Sequence, residues 1–163
     1  MAFSSMASNL VFGDGRDDDV FVHDRQTGQT MLVSVASDGT QALGGSSSSP
    51  SLSADGRYVT FYSFASNLVP NDTDGVADVF VHDRHTGQTT RVSVASDGTQ
   101  GNGVSGNPSL SADGRYVAFR SNASNLVCRA RIDIERCVRA RPTGQTMLVS
   151  VSSDSTKALG GSS

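Results

Sequence analysis

Three aspartates in one polar stretch have the residue type and the spacing that a divalent cation requires. Asp72 and Asp74 stand two residues apart ahead of a glycine, and Asp78 follows four residues later. Such carboxylates can converge on a hard cation such as calcium. When that glycine takes the sixth position of a calcium loop, Pro70 and Val81 fall on the two anchoring positions, which leaves both without a ligand. The pattern therefore predicts either a weak calcium site or an acidic loop whose aspartates cap turns.

Two His-Asp pairs, His23-Asp24 and His82-Asp83, occur in a chain rich in serine, which raises the question of Ser-His-Asp catalysis. Adjacent residues of a strand point to opposite faces, so the members of a pair cannot act together on one substrate. The sequence also lacks the G-x-S-x-G nucleophile motif. We predict that these pairs make polar contacts within or between structural units and that the chain has no catalytic residues.

Five arginines lie between Arg129 and Arg141, in a segment that also contains Cys128 and Cys137. No aromatic residue stands among the arginines to stack on a base, so we predict no nucleic-acid binding. The cysteines have neither zinc-site nor redox C-x-x-C spacing, and we interpret them as incidental thiols.

Composition narrows the classes further. The 163 residues are 36% hydrophobic and 18% charged with a net charge of -3, and no apolar run is long enough for a membrane span. The first residues lack the basic flank and apolar stretch of a secretory signal. The location of the chain is not predicted, although a periplasmic or secreted parent protein suits the repeats described next.

Nearly verbatim internal repeats organise the whole chain. SVASDGTQ begins at Ser34 and again at Ser93, SLSADGRYV begins at Ser51 and at Ser109, and DVFVHDR occurs twice. Where a third DVFVHDR is due, the chain reads Cys137 to Pro142, and one set of codons for DVFVHDR would encode these residues if it were read two nucleotides late. We interpret that segment as a frame-shifted copy, and we expect Cys128 to Pro142 to be the worst-packed stretch.

Apolar residues alternate within each repeat, which predicts strands, and Asp-Gly and Thr-Gly pairs between them predict tight turns. The complete repeat predicts four strands: Pro50 to Ser53, Arg57 to Ser63, Asp78 to Asp83 and Thr89 to Ala95. No helical period is present. Four antiparallel strands per repeat, stacked in series, are typical of β-propeller blades.

The segments PSLSADGRYVTFYS and DVFVHDRHTGQTTRVS resemble the WD-like propeller repeat of the TolB C-terminal-domain type. Ala54 and Ala112 replace a proline that this family usually has. The resemblance implies an all-β, incomplete β-propeller of four-stranded blades, and it implies a binding or scaffolding role without a particular reaction. Residues 1–49 are then the second half of a first blade plus a linker, 50–107 a complete blade plus a linker, and 108–163 a degenerate third blade.

These observations predict a non-catalytic interaction scaffold, cut from a longer repeat protein, with no cofactor unless Asp72, Asp74 and Asp78 hold calcium. Two alternatives remain open. The chain is an accessory region of a hydrolase whose catalytic domain lies outside these residues, or it is a weak calcium-binding adhesion module. Its partner is a protein or a small ligand, and we expect self-association through open blade edges.

Overall fold

The computed structural model describes residues 1–11, 17–126 and 135–149, and these residues form strands joined by turns and loops. None of the described segments contains a helix long and apolar enough to cross a membrane. The strands are β1 (Ala2–Ser5), β2 (Asp19–His23), β3 (Thr30–Leu32), β4 (Ser47–Leu52), β5 (Tyr58–Ser63), β6 (Asp78–Asp83), β7 (Gln88–Arg91), β8 (Ser105–Leu110), β9 (Tyr116–Ser121), β10 (Glu135–Ala140) and β11 (Gln145–Leu148).

Each repeat folds into its own antiparallel sheet with the strands in chain order. The first sheet contains β1 to β3, the second β4 to β7 and the third β8 to β11. β4 packs on β1 and β2, and β8 packs on β4, β5 and β6, so the sheets are stacked in series. The all-β prediction is confirmed, and the second and third sheets have the four antiparallel strands expected of a blade.

The alternation of apolar residues places one row of side chains on each face of a sheet. On one face of the second sheet, Phe61 and Phe80 stack with ring centroids 5.9 Å apart and pack with Val20 and Val22 of the first sheet. Val79 and Val81 lie on the opposite face, where they pack against the third sheet. The second sheet is therefore buried on both faces, which explains why β6 is buried along its whole length.

Turn glycines adopt the left-handed backbone that the sequence pattern requires. Gly56 and Gly114, which follow aspartates in the turns before β5 and β9, have φ angles of 72° and 70°. Asp55 and Asp113 accept hydrogen bonds from the backbone amides of Arg57 and Arg115 at 3.0 Å. The predicted Asp-Gly turns thus form because glycine tolerates positive φ and the aspartate side chain closes the turn.

Two of the predicted strand limits differ from the structure by three residues or more, and the others differ by at most one residue. The first strand of the complete repeat begins at Ser47 rather than Pro50, in a run of serines that carries no apolar signal. Its last strand ends at Arg91 rather than Ala95, because the chain then turns away and forms an isolated bridge between Val94 and Gln100.

The third repeat forms a third strand, although its residues have lost the alternation of valine and phenylalanine that marks this strand in the other repeats. β10 pairs with β9 from Glu135–Ser121 to Ala140–Tyr116, which is the register that β6 keeps with β5. Cys137 occupies the position of Phe80 and is buried beside Phe119 in the same core cluster. Backbone pairing on both sides and two small buried side chains, Cys137 and Ala140, are enough to continue the sheet. Residues 128–134 of the stretch lie outside the described residues.

Candidate functional site

The three predicted carboxylates do come together. Asp72 and Asp74 lie in the loop between β5 and β6, Asp78 is the first residue of β6, and oxygen atoms of all three lie within 4.8 Å of one another. Asp78 is fully buried, whereas Asp74 is exposed and accepts a hydrogen bond from the backbone amide of Val76 at 3.3 Å. The loop thus shows both predicted features, converging carboxylates and an aspartate that closes a turn.

A side-chain cation already lies against two of these carboxylates. The Arg91 guanidinium is 3.0 Å from a carboxylate oxygen of Asp78 and 3.3 Å from one of Asp72. The Gln100 amide donates to both aspartates at 3.2 Å, and the Ser93 hydroxyl donates to Asp78. Asp72 and Asp78 therefore already interact with a positive charge and with hydrogen-bond donors of the protein.

Burial dominates the electrostatics of this group. Loss of water around Asp78 raises the pKa of its carboxyl to about 6, even though Ser93 and Arg91 favour the charged form. Burial also raises the pKa of Asp72.

The first sheet contains the same arrangement without the arginine. Asp19 accepts hydrogen bonds from the Ser34 hydroxyl at 2.7 Å and from the Gln41 amide at 2.6 Å. Leu32 stands where the second sheet has Arg91. An Asp-Ser-Gln group thus recurs in the first and second sheets. In each sheet it connects the first residue of the second-to-last strand to the segment that follows the last strand, and so it stabilises the fold.

The histidine and the aspartate of the second His-Asp pair each make polar contacts with other residues. His82 Nδ1 lies 2.8 Å from the Thr89 hydroxyl, which in turn donates to the Val35 carbonyl of the first sheet. Asp83 instead receives two hydrogen bonds from Arg57, at 2.9 and 2.7 Å, which hold the pKa of its carboxyl well below the usual range. Burial lowers the pKa of His82.

Thr89, which pairs with this histidine, and its counterpart Thr146 in the third sheet each form hydrogen bonds to the preceding sheet. The Thr89 amide donates to the Ser37 hydroxyl at 3.0 Å, and the Thr146 amide donates to the Ser96 hydroxyl at the same distance. Arg139 replaces the histidine in the third sheet and donates to the Thr146 hydroxyl at 2.9 Å. We use the term threonine contact for each of these threonines together with the histidine or arginine beside it and the serine and carbonyl of the preceding sheet that it bonds.

Two arginines of the segment from Cys128 to Pro142 also contact the second sheet. Arg139 also donates to the Ala95 carbonyl at 3.0 Å, and Arg141 lies over the Tyr58 ring at 4.0 Å from its centroid. Cys137 is a buried cysteine. Arg129, Arg131 and Cys128 lie outside the described residues, and the absence of nucleic-acid binding stays a prediction.

Sequence reasoning missed a cleft of about 340 Å³ between the second and third sheets. One wall contains Tyr62 and Phe64, whose rings meet edge to face at 6.2 Å. The lining from the third sheet includes Asn107, Arg120 and Asn122, all exposed. The signal that would have found it is the set of positions at which two nearly identical repeats differ.

Comparisons with known proteins support the architecture. No family model matches the chain, and no curated protein matches it. Dipeptidyl peptidase 4 of Porphyromonas gingivalis is similar in structure with a TM-score of 0.52 and 14% identity, over 83% of this chain and 24% of that one. The tricorn protease (TM-score 0.46, 11% identity, 82% and 10% covered) and TolB from Acinetobacter baumannii (TM-score 0.35, 16% identity, 91% and 40% covered) also match.

The chain thus spans about a quarter of the dipeptidyl peptidase 4 chain, and at 14% identity the likeness shows the fold alone. Membership of the WD-like repeat family stays a prediction. The observed sheets and this likeness together identify the chain as an all-β segment of β-propeller type, built from antiparallel sheets of three and four strands.

Proposed function

We propose that this chain is a non-catalytic segment of a β-propeller and that it acts as a binding scaffold. The observation that carries the proposal is the use of its reactive groups: the hydroxyls, imidazoles and carboxylates that recur with the repeat bind one another and join the sheets. Side chains engaged in this way stabilise the stack and are not available to a substrate.

The geometry around Ser93 illustrates why catalysis is disfavoured. Ser93 is fully buried and donates to Asp78, at the beginning of β6, whereas His82 lies near the end of that strand. Four residues along a strand span roughly 13 Å, which is far beyond hydrogen-bond reach. The serine, the aspartate and the histidine therefore cannot form a proton relay.

A binding role fits the open surfaces that this framework leaves. A cleft between two sheets is a place where rigid β-structure presents variable side chains to a ligand. The printed names of the neighbours add only the fold, so the partner must be inferred from the surfaces of the chain itself.

Two measurements on the purified chain test the proposal. A fluorophosphonate probe and a panel of activated esters are expected to give neither labelling nor turnover, and two-dimensional NMR with a fragment library is expected to detect saturable binding on the folded protein. Stoichiometric labelling that Ser93→Ala removes would overturn the non-catalytic part. A library without any saturable ligand would overturn the binding part.

A further inference from the structure

We infer, on the basis of the binding role proposed above, that the outer edge of β1 binds an extended, uncharged peptide with the pattern Ser-x-x-Pro-Ser-Leu. β1 is the first strand of its sheet, and no described strand pairs with its other edge. Its counterparts β5 and β9 each have a further strand on that side, β4 and β8, and both of these strands contain the pattern. A bound peptide gives the first sheet the fourth strand that the other two sheets have.

The backbone of β1 is oriented to receive a strand. Met1 and His23 exchange two hydrogen bonds through their backbone nitrogen and oxygen atoms, at 2.9 and 2.8 Å. Because hydrogen-bonded pairs alternate along an antiparallel ladder, the amide and carbonyl groups of Ala2 and Ser4 point away from β2, towards the open edge. The residues at the same positions of β5 pair with β4. An edge of this kind can bind an extended peptide through main-chain hydrogen bonds.

A serine at the end of β1 has the geometry of its counterparts but lacks their serine partner. The Ser63 hydroxyl of β5 accepts hydrogen bonds from the Ala65 amide at 3.0 Å and from the Ser47 hydroxyl at 2.8 Å. Ser5 accepts a hydrogen bond from the Ala7 amide at 3.1 Å in the same way, and no hydroxyl of a described residue donates to it. The first serine of the peptide supplies that donor.

The amide of Leu52 in β4 provides a second, independent contact. β4 and β8 pack on each other, and the Leu110 amide of β8 donates to the Ser51 hydroxyl of β4 at 3.1 Å. Leu52 holds in β4 the position that Leu110 holds in β8, and no hydroxyl of a described residue accepts from its amide. A strand added to β1 lies against β4 as β4 lies against β8, so the second serine of the peptide accepts from Leu52.

The leucine that ends the pattern faces an exposed methionine. In the second sheet Leu52 pairs with Val59, and Met1 stands at the position of Val59 in the first sheet. Val59 is fully buried, whereas Met1 is 64% exposed. The leucine of a bound peptide lies opposite Met1 and removes part of its apolar surface from water.

The partner is a separate polypeptide with an unpaired segment of this kind, because the described residues of a folded second copy offer none. The pattern is already paired in β4 and β8, where Ser47 and Ser105 are fully buried. A second β1 does not replace it, since β4 and β8 each have a bulge with positive φ before the proline, 54° at Ser49 and 50° at Asn107, and β1 has neither feature. Asparagine adopts this conformation more readily than serine, so it suits the position before the proline.

The probe is the peptide GVSGNPSLSA, acetylated and amidated at its ends, which has the sequence of residues 103–112. It is titrated into the isotope-labelled full chain by NMR. We expect saturable binding with chemical-shift changes at the amides of Ala2, Ser4 and Leu52. A second peptide with alanine in place of the first serine of the pattern is expected to bind about fivefold more weakly, because it cannot donate to Ser5.

Two variants of the chain locate this preference. Ser5→Ala is expected to bind both peptides equally, because the hydroxyl contact is then missing from both complexes. Ser8→Ala removes an exposed hydroxyl beyond the end of β1 and is expected to keep the preference of the parent chain. Comparison of the two peptides on one variant separates the contact from any general effect of the substitution on folding.

The inference is overturned if the parent chain binds the two peptides equally, if Ser8→Ala acts like Ser5→Ala, or if the shifts lie at β9, where the probe would have displaced β8. It is also overturned if the Ala2 and Ser4 signals broaden with chain concentration and the probe does not reverse this, because a second copy then occupies the edge. When the probe does not bind but library fragments do, only this inference fails and the scaffold proposal survives.

Discussion

Asp78 is the residue whose surroundings constrain the chain most strongly. It is fully buried with Ser93, Arg91 and Gln100 as hydrogen-bond donors, yet loss of water still raises the pKa of its carboxyl from 3.8 to about 6. Between these two values the folded chain holds a proton that the unfolded chain has lost. The raised pKa therefore makes folding sensitive to mildly acidic pH.

We expect the free energy of unfolding to fall as the pH rises from about 4 to above 6, because Asp78 favours folding while it is protonated. The contribution is on the order of 2–3 kcal/mol. Asp78→Asn should flatten this part of the profile, measured by urea denaturation across a pH series. Asp83→Asn is the control: the Arg57-bound carboxylate of Asp83 contributes stability that is lost only as the pH falls below about 4, so this variant should keep the slope of the parent chain between pH 4 and 6. Parallel profiles for Asp78→Asn and the parent chain would contradict the expectation.

Arg91 decides what the acidic loop can bind. In the parent chain its guanidinium lies against Asp72 and Asp78 and offsets part of their negative charge, so millimolar calcium should raise the melting temperature only slightly. Arg91→Leu, which introduces the residue of the first sheet at this position, should give the larger calcium response because it leaves the carboxylates without a counter-charge. Asp74→Ala added to that variant should reduce the response. Equal calcium shifts in all three proteins would leave the loop without a metal role.

At the scale of the strand, the threonine contact joins elements of different sheets. The Thr89 hydroxyl donates to the Val35 carbonyl and lies within hydrogen-bond distance of His82, and all of these groups leave water to meet. A buried polar group without its partner costs more than the net value of the bond. The contact therefore contributes mainly by preventing unsatisfied groups.

Thr89→Val should lower the free energy of unfolding by about 1–3 kcal/mol, since it keeps the shape of the side chain and leaves the Val35 carbonyl without its donor. Thr90→Val is the control: this neighbouring threonine is exposed and its hydroxyl reaches the Val81 carbonyl only at 3.5 Å. Urea denaturation of both variants measures the difference. Equal losses would show that the hydroxyl of Thr89 has no special role.

Hydrogen exchange can test whether β10, a strand that the sequence pattern does not predict, is well packed. The strand lies between β9 and β11, so its amides face partners on both sides. We expect hydrogen exchange at Arg136 to Ala140 to be slowed as it is at Val79 to Asp83, and to be much slower than in the exposed turn at Asp97 to Thr99. Exchange in β10 as fast as in that turn would restore the original expectation of a poorly packed segment.

The sequence predicted correctly the strands that are marked both by alternating apolar residues and by turn residues at their ends. The limits of Asp78 to Asp83 are correct because alternation, a preceding loop and a following Thr-Gly turn all mark them. β10 was missed because its residues are mostly polar or small, while its place in the sheet is set by backbone pairing with β9. The cleft was missed because the repeats were compared for what they share, whereas the information lay in Arg120, Asn107 and the other positions that differ.

At the scale of the whole molecule, burial depends on whether a neighbouring sheet is present. Val92 is 3% exposed between the second and third sheets, but Val149, its counterpart in the third sheet, is 54% exposed. The outer face of the third sheet thus presents the Val149 side chain, which no described sheet covers.

We expect the purified chain to self-associate through this face. Sedimentation velocity over a range of concentrations should show a rising weight-average mass, and Val149→Lys should shift the chain towards the monomer, because a charge opposes burial of the face. Thr99→Lys adds the same charge in an exposed turn and should have no effect. A monomer at every concentration with a sharp melting transition would contradict this expectation.

The near identity of the sheets has a consequence for how the chain finds its native order. Ser51 to Val59 and Ser109 to Val117 are the same nine letters, and β5 and β9 pair with the following strand in the same register. If β9 took the place of β5 beside β6 during folding, it would offer the core the same valine and phenylalanine. Side-chain recognition in the core therefore discriminates poorly between the native arrangement and one with exchanged strands. The short connections within each sheet close at the lowest entropic cost, so they must determine which strands pair. A chain that pairs the wrong strands, within itself or with a second copy, is expected to be kinetically trapped in that misfolded state.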